Sequence, residues 1–176
     1  NPTGGHFDYG RQGTSTTHIL QQILSKLEES YFTFLTPTGF GAVFLAIFSV
    51  TRPGDEIIVA DPCYNPTRLL SQDFLKEFNI KTTFYDPHNL KTLEKSITKK
   101  TKLIFVENPG SNTFEFQDLG KIISIAKKHK ILTAIDNTWG TPYFLKPIKL
   151  GFDMSIVSAT KYYSGHSDVM LSLIHI

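Results

Sequence analysis

Lys161 lies in Ser158-Ala159-Thr160-Lys161-Tyr162, twenty-five positions after Asp136 in Ile135-Asp136-Asn137-Thr138. Each of the two follows an apolar run. An amine and a carboxylate so placed suit pyridoxal phosphate (PLP). The lysine can form a Schiff base with the cofactor, and the aspartate can keep the pyridine nitrogen protonated, so that the ring accepts carbanion electrons. Taken singly, the lysine reads as a solvated strand-end residue and the aspartate as a turn cap. A buried carboxylate needs a charged or hydrogen-bonding partner, and a pyridinium N–H would supply one.

Further candidates sit at similar places. Thr38-Gly39-Phe40-Gly41 follows a strand-like run and opens a helix-like one. Its glycines admit close backbone approach, and a helix N-terminus offers free N–H groups to a phosphate. The plainer reading is a tight strand-to-helix turn, since neither a Walker motif nor a GxGxxG fingerprint is present. Ser158 and Thr160 flank the lysine and could offer hydroxyls to the same phosphate, or serve as ordinary turn residues. Tyr64, after Asp61-Pro62-Cys63, could stack on a flat cofactor or pack as a rim aromatic. Tyr9 and Arg11 lie in the opening segment. Arginine suits bidentate phosphate contact, and a terminal arm reaches a neighbouring subunit's site more easily than its own, which points to an oligomer. The six histidines show no metal-ligand spacing. His166 and Asp168 read as loop-stabilising, and Cys63 as small core filler.

These residues need a scaffold, and the pattern describes one. Residues 1–14 read as an extended arm, and residues 15–176 as one α/β domain. A helix capped by Thr16 or Thr17 is expected to run to Glu29, with Ile19, Ile23, Leu24 and Leu27 on one face. Tyr31 to Leu35 reads as a strand, followed by an apolar helix ending near Pro53-Gly54. Strands are expected over Glu56 to Ala60, Lys81 to Tyr85, Lys102 to Glu107, Ile131 to Asp136 and Met154 to Ser158. Helices are expected over Pro66 to Phe78, Asn89 to Ile97 and Gln117 to His129. The runs LIFVE, ILTAID and MSIVS are almost wholly apolar, as strands covered on both faces must be. The fold class is therefore α/β, a mostly parallel sheet with helices on both faces. Ligands in such sheets bind beyond the carboxyl ends of the strands, where Asp61, Asn108, Asp136 and Ser158 to Lys161 all fall.

Composition narrows the partners. A net charge of +2 with scattered basic residues gives nucleic-acid binding little support. The best apolar run, Ala42 to Val50, is about half of the roughly twenty residues a membrane span needs. A single cysteine excludes an intrachain disulfide and fits a reducing compartment, hence a cytoplasmic location.

In combination and in order, six stretches resemble the Cys/Met-metabolism family of PLP-dependent enzymes, of fold type I. They are Tyr9-Gly10-Arg11-Gln12-Gly13-Thr14, Thr38-Gly39-Phe40-Gly41-Ala42, Asp61-Pro62-Cys63-Tyr64, Glu107-Asn108-Pro109-Gly110-Ser111, Asp136-Asn137-Thr138-Trp139 and Ser158-Ala159-Thr160-Lys161-Tyr162. The resemblance implies that Lys161 carries PLP covalently and that Asp136 pairs with the pyridine nitrogen. It implies that Tyr64 stacks on the ring and that Gly39, Phe40, Ser158 and Thr160 hold the phosphate. Tyr9 and Arg11 would reach the phosphate of an adjacent subunit in a homodimer or homotetramer. The catalytic residues would be Lys161 and Tyr64, and the substrate a small sulfur amino acid. Tyr-Gly-Arg-x-Gly-Thr and Lys-Tyr-x-x-Gly-His-Ser-Asp look more like the bacterial cystathionine β-lyase branch, which implies β-elimination of cystathionine to homocysteine, pyruvate and ammonia.

The chain departs from that family in two ways. Family members are roughly twice as long, so the C-terminal small domain, with its arginine for the substrate carboxylate, has no counterpart here. After Ser167-Asp168-Val169-Met170 the family continues with glycine, whereas this chain reads Leu171-Ser172-Leu173-Ile174-His175-Ile176. The last four to six residues are therefore expected to be foreign to the native sequence. Three other readings stay open: a cystathionine γ-synthase, cystathionine γ-lyase or methionine γ-lyase; a catalytically inert piece of a PLP enzyme; and a nucleotide-binding domain without PLP, which leaves the Asp136–Lys161 pairing unexplained.

Overall fold

The computed structural model describes residues 9–176. Seven strands form one sheet in the order β1-β7-β6-β5-β4-β2-β3. The strands are β1 (Thr33–Thr36), β2 (Glu56–Ala60), β3 (Lys81–Tyr85), β4 (Thr101–Glu107), β5 (Leu132–Asp136), β6 (Met154–Val157) and β7 (Ser172–His175). All neighbouring pairs from β3 to β6 are parallel, and β7 alone runs antiparallel to both of its neighbours. The sheet is thus the mostly parallel α/β one expected.

Near-continuous apolar strands arise because both faces are covered. Ile57 and Val59, Leu103 and Phe105, Ala134, and Met154 and Ile156 point to one side, where they pack with Val43 and Ile47 of helix α2 (Gly39–Val50). Ile58, Ile104, Val106 and Ile135 point to the other, against Leu93 of α5 (Leu90–Ser96) and Ile122 of α6 (Leu119–His129). Period-two alternation along each strand sends successive side chains to opposite layers, and each fully buried one contributes about 1.5–3 kcal/mol.

Several element boundaries differ from expectation for local reasons. Helix α1 spans Ser15–Glu28, and its cap is Thr14, not Thr16 or Thr17. Thr14 and Thr17 satisfy each other's backbone amides, so the cap falls two positions before the first of the expected pair. The row Leu20, Leu24, Glu28 faces the sheet, while Ile19, Ile23 and Leu27 stay 54%, 57% and 46% exposed, reversing most of the expected inner face. The first strand starts at Thr33, leaving Tyr31 exposed. The helix expected over Pro66 to Phe78 is α3 (Asn65–Leu69), a π-helical stretch Leu70–Phe74 and α4 (Leu75–Glu77) in succession. Helix α6 starts at Leu119 because Asp118 caps it, its carboxylate accepting from the Lys121 amide at 2.9 Å.

Two short helices, α7 (Thr141–Phe144) and α8 (Pro147–Leu150), were not foreseen, nor was β7. Strand β7 lies in the segment expected to be foreign to the chain, and its fit is mixed. Leu173 and Ile174 are buried in the core, whereas Ser172 Oγ and His175 Nε2 are buried without hydrogen-bond partners. Of the expected arm, residues 1–8 lie outside the described residues. Gly10–Gln12 form a 3-10 turn, and the Arg11 guanidinium sits 5.1 Å from the centre of the Tyr9 ring. Among the described residues no helix is long and apolar enough to cross a membrane.

Candidate active site

The carboxyl ends of β2, β4, β5 and β6 end on one edge of the sheet, and a cavity of about 200 Å³ opens there. Gly39, Tyr64, Asp136, Ser158 and Lys161 line it, together with Val43, Glu107, Ser111, Thr138 and Trp139. The crevice beyond parallel strand ends is where such a sheet leaves backbone groups and loops free to meet a ligand.

Asp136 closes β5. Its Oδ1 accepts from the Thr138 amide at 3.0 Å. Burial raises its carboxyl above the ordinary range, against the pull of Thr138 and the Lys161 charge. A carboxyl in that setting gains most from a cationic hydrogen-bond donor placed in the cavity. Lys161 follows β6 on a tight turn, its amide donating to the Ser158 carbonyl at 3.1 Å. Its Nζ donates to Ser158 Oγ at 2.9 Å, and the Ser158 amide in turn donates to Thr138 Oγ1 at 2.9 Å. The amine and the carboxyl are thereby tied into one hydrogen-bonded rim.

Helix α2 points its N-terminus at the same cavity. Thr38 caps it, Oγ1 accepting from the Gly41 amide at 3.0 Å. That leaves the first amides, of Gly39 and Phe40, without intrahelical acceptors. A side chain at Gly39 would put its Cβ 3.2 Å from Ser158 Oγ and 3.5 Å from Ser172 Oγ, so the helix end lies close against the lysine turn and a larger residue would press on Ser158. Tyr64 precedes α3, its ring about half exposed at the cavity wall.

The structure does not bring every expected residue to this cavity. Phe40 is 45% exposed and does not line it. Thr160 turns away: its Oγ1 accepts from the Leu171 amide at 3.1 Å and donates to the Leu171 carbonyl at 3.2 Å. Tyr9 and Arg11 also stand apart from the lining, folded on each other. Two of the expected strand-end residues serve elsewhere. Asn108 is buried and holds the Gln117 amide at 2.8 Å. Asp61 pairs with Arg68 at 2.7 Å beside a separate cavity of about 300 Å³. Cys63 is buried, its thiol pushed up to about 11 mainly by that burial. His166 Nδ1 lies 2.7 Å from the Ser164 carbonyl, a loop contact.

Glu107, Ser111, Thr138 and Trp139 line the cavity although none was singled out from the sequence for a role. The signal for Glu107 was available, since it is the last residue of an apolar strand, as Asp136 is. Among the described residues no group of three or more His, Cys, Asp and Glu side chains is placed to hold a metal ion.

Comparison with known proteins identifies the family. A family model described as Cys/Met metabolism PLP-dependent enzyme matches residues 1–176. A Saccharomyces cerevisiae protein named provisionally as a cystathionine beta-lyase is 40% identical over 165 residues, covering 94% of this chain and 48% of the relative. Human cystathionine gamma-lyase is 35% identical over 171 residues, covering 97% of this chain and 42% of the relative. A Campylobacter jejuni crystal structure, named provisionally as an O-acetylhomoserine (thiol)-lyase, superposes with a TM-score of 0.91 at 34% identity, over 95% of this chain and 41% of that one. That structure carries N'-pyridoxyl-lysine-5'-monophosphate. The chain spans less than half the length of these relatives.

Proposed function

The chain belongs to the Cys/Met metabolism PLP-dependent enzymes, and from that premise we propose that it is the cofactor-binding part of a carbon–sulfur lyase that β-eliminates cystathionine. One observation carries the reading: the partly buried Asp136 carboxyl and the Lys161 amine line one small cavity, with the Tyr64 ring at its wall. These groups fit PLP. Lys161 would hold it covalently, Asp136 would bind its pyridine nitrogen, and Tyr64 would cover its face. Gly39 at the α2 N-terminus and Ser158 would receive the phosphate. Phe40 would contribute through its backbone amide, which the exposed side chain leaves unaffected. When bound, the cofactor supplies an electron sink for a carbanion at the substrate Cα. Asp136 keeps that sink protonated. Lys161 Nζ takes the Cα proton and returns it to the leaving sulfur, so that cystathionine and water become homocysteine, pyruvate and ammonia.

Support for the β-acting branch comes from Tyr9-Gly10-Arg11-Gln12-Gly13-Thr14 and Lys161-Tyr162-Tyr163-Ser164-Gly165-His166-Ser167-Asp168, and from the yeast relative's name. The human relative's name favours γ-elimination, which would give 2-oxobutyrate and cysteine instead. We place the enzyme in the cytoplasm as a homo-oligomer in which Tyr9 and Arg11 serve a neighbour's phosphate. That role is compatible with their position off this chain's own cavity.

The test is borohydride trapping of added PLP followed by peptide mapping. Label on Lys161, absent in Lys161→Ala, is expected; a folded chain that takes up no PLP would leave the inert reading. Pyruvate released from cystathionine by the full-length enzyme separates β- from γ-elimination.

A further inference from the structure

Glu107 closes β4 directly across from Asp136 in the parallel register of β4 and β5. It is 5% exposed, and both of its carboxylate oxygens are used. Oε2 accepts from the Tyr64 backbone amide at 2.6 Å. Oε1 accepts from the Ser111 hydroxyl. The Ser111 amide returns to the Pro62 carbonyl at 2.7 Å, closing a ring of contacts between the turn after β2 and the loop after β4. Glycine at 110 belongs to the same device. A Cβ there would lie 2.7 Å from Pro62 Cγ and 3.0 Å from the Pro62 carbonyl oxygen, so only glycine lets the loop seat against the turn.

We propose that Glu107 is a positioning residue for Tyr64: its carboxyl clamps the Tyr64 backbone to the end of β4 and so sets where the aromatic ring stands over the cavity. The inference rests on the proposed PLP site. Burying a second carboxyl beside Asp136 is costly, and an apolar residue would suit the strand end better for stability alone. The Tyr64 ring is half exposed, so its placement depends on its backbone more than on packing. The clamp survives a change of charge. Burial, and then the Asp136 charge, push the Glu107 carboxyl up to about 7. With a proton on Oε1, that oxygen donates to Ser111 Oγ, while Oε2 still accepts from Tyr64. A glutamine reproduces this neutral form atom for atom, with its amide nitrogen toward Ser111.

Amide hydrogen exchange on the whole chain tests the clamp without cofactor. Glu107→Ala should speed exchange at the Tyr64 amide by about tenfold or more while the Phe105 amide within β4 stays protected, and Glu107→Gln should restore the slow rate. PLP titration followed by absorbance then links the clamp to the site. Glu107→Ala should weaken PLP by about threefold or more but no further than Tyr64→Ala does, Glu107→Gln should stay close to wild type, and Glu107→Ala combined with Tyr64→Ala should lose little more than Tyr64→Ala alone. Unchanged Tyr64 exchange in Glu107→Ala, fully additive losses, or a glutamine no better than alanine would each overturn the proposal. A wild-type chain that binds no PLP would count against the proposed function, and the exchange comparison would still decide the clamp.

Discussion

Single residues at the cavity have separable duties. The proposed duty of Tyr64 is to cover a flat ring, which needs its face and not its hydroxyl. Tyr64→Phe should therefore bind PLP nearly as well as wild type. Tyr64→Ala should lose about 1 kcal/mol, five- to tenfold in Kd, the usual worth of an aromatic pair; equilibrium titration by fluorescence reads both. Glu28 is a residue of another kind. It is fully buried beneath α1, 3.7 Å from the equally buried His175. The two are not an ion pair. Burial pushes the Glu28 carboxyl up to about 7 from 4.5, outweighing the attraction of Lys146. Burial likewise pushes His175 down to about 3, so its imidazole is neutral at neutral pH. A carboxyl whose folded pKa is raised binds more protons folded than unfolded. Its contribution to stability is therefore whole below pH 4.5 and is lost as the pH rises through about 7. Glu28→Gln should stabilise the chain by on the order of 2–3 kcal/mol at pH 8 and by little at pH 4.5, as denaturant melts at the two pH values will show.

At the scale of elements, the site is made by ends. Strands β4, β5 and β6 deliver Glu107, Asp136 and the lysine turn, and α2 delivers its first turn. Thr38 fixes where that turn begins. Thr38→Ala removes the only side-chain cap on α2 and should cost about 1 kcal/mol, within a usual range of about 0.5–2, measured as a lower denaturant midpoint with an unchanged slope. The interior strands were readable from sequence because both-face burial writes itself as unbroken apolar runs; β2 begins and ends where expected. Helix α1 was misread because Ile19 and Ile23 and the row Leu20–Leu24 are both apolar. Periodicity shows that a helix is amphipathic but does not say which of two adjacent apolar rows meets the sheet.

Over the whole molecule, the row that α1 leaves outside matters. Ile19, Ile23 and Leu27 form an exposed apolar stripe four residues apart, a feature that marks contact surfaces. It fits the homo-oligomer proposed above. Replacing Ile19 and Ile23 with Glu should leave the fold intact, since neither side chain is buried, and should shift sedimentation velocity toward the monomer. Strand β7 is the other molecule-wide feature. It joins β1 to the rest of the sheet, so β1 and α1 depend on the last residues of the chain.

The sequence alone determined the α/β class and the alternation of strands and helices from β1 to β6, α7 and α8 excepted, and it singled out Lys161 and Asp136 as candidates for one site. Those properties live in short apolar runs and in residue chemistry at their ends. Tertiary structure decided the rest. Gly39, Ser158, Asp136 and Lys161 converge because β5 and β6 are adjacent and α2 begins beside their ends, whereas Thr160, one residue from the lysine, turns to Leu171. Glu107 gains its place only because the sheet order sets β4 between β2 and β5, which brings its carboxyl to an amide forty-three residues earlier in the chain. No local pattern encodes such a contact, because its two partners share no segment and meet only after the strands have paired.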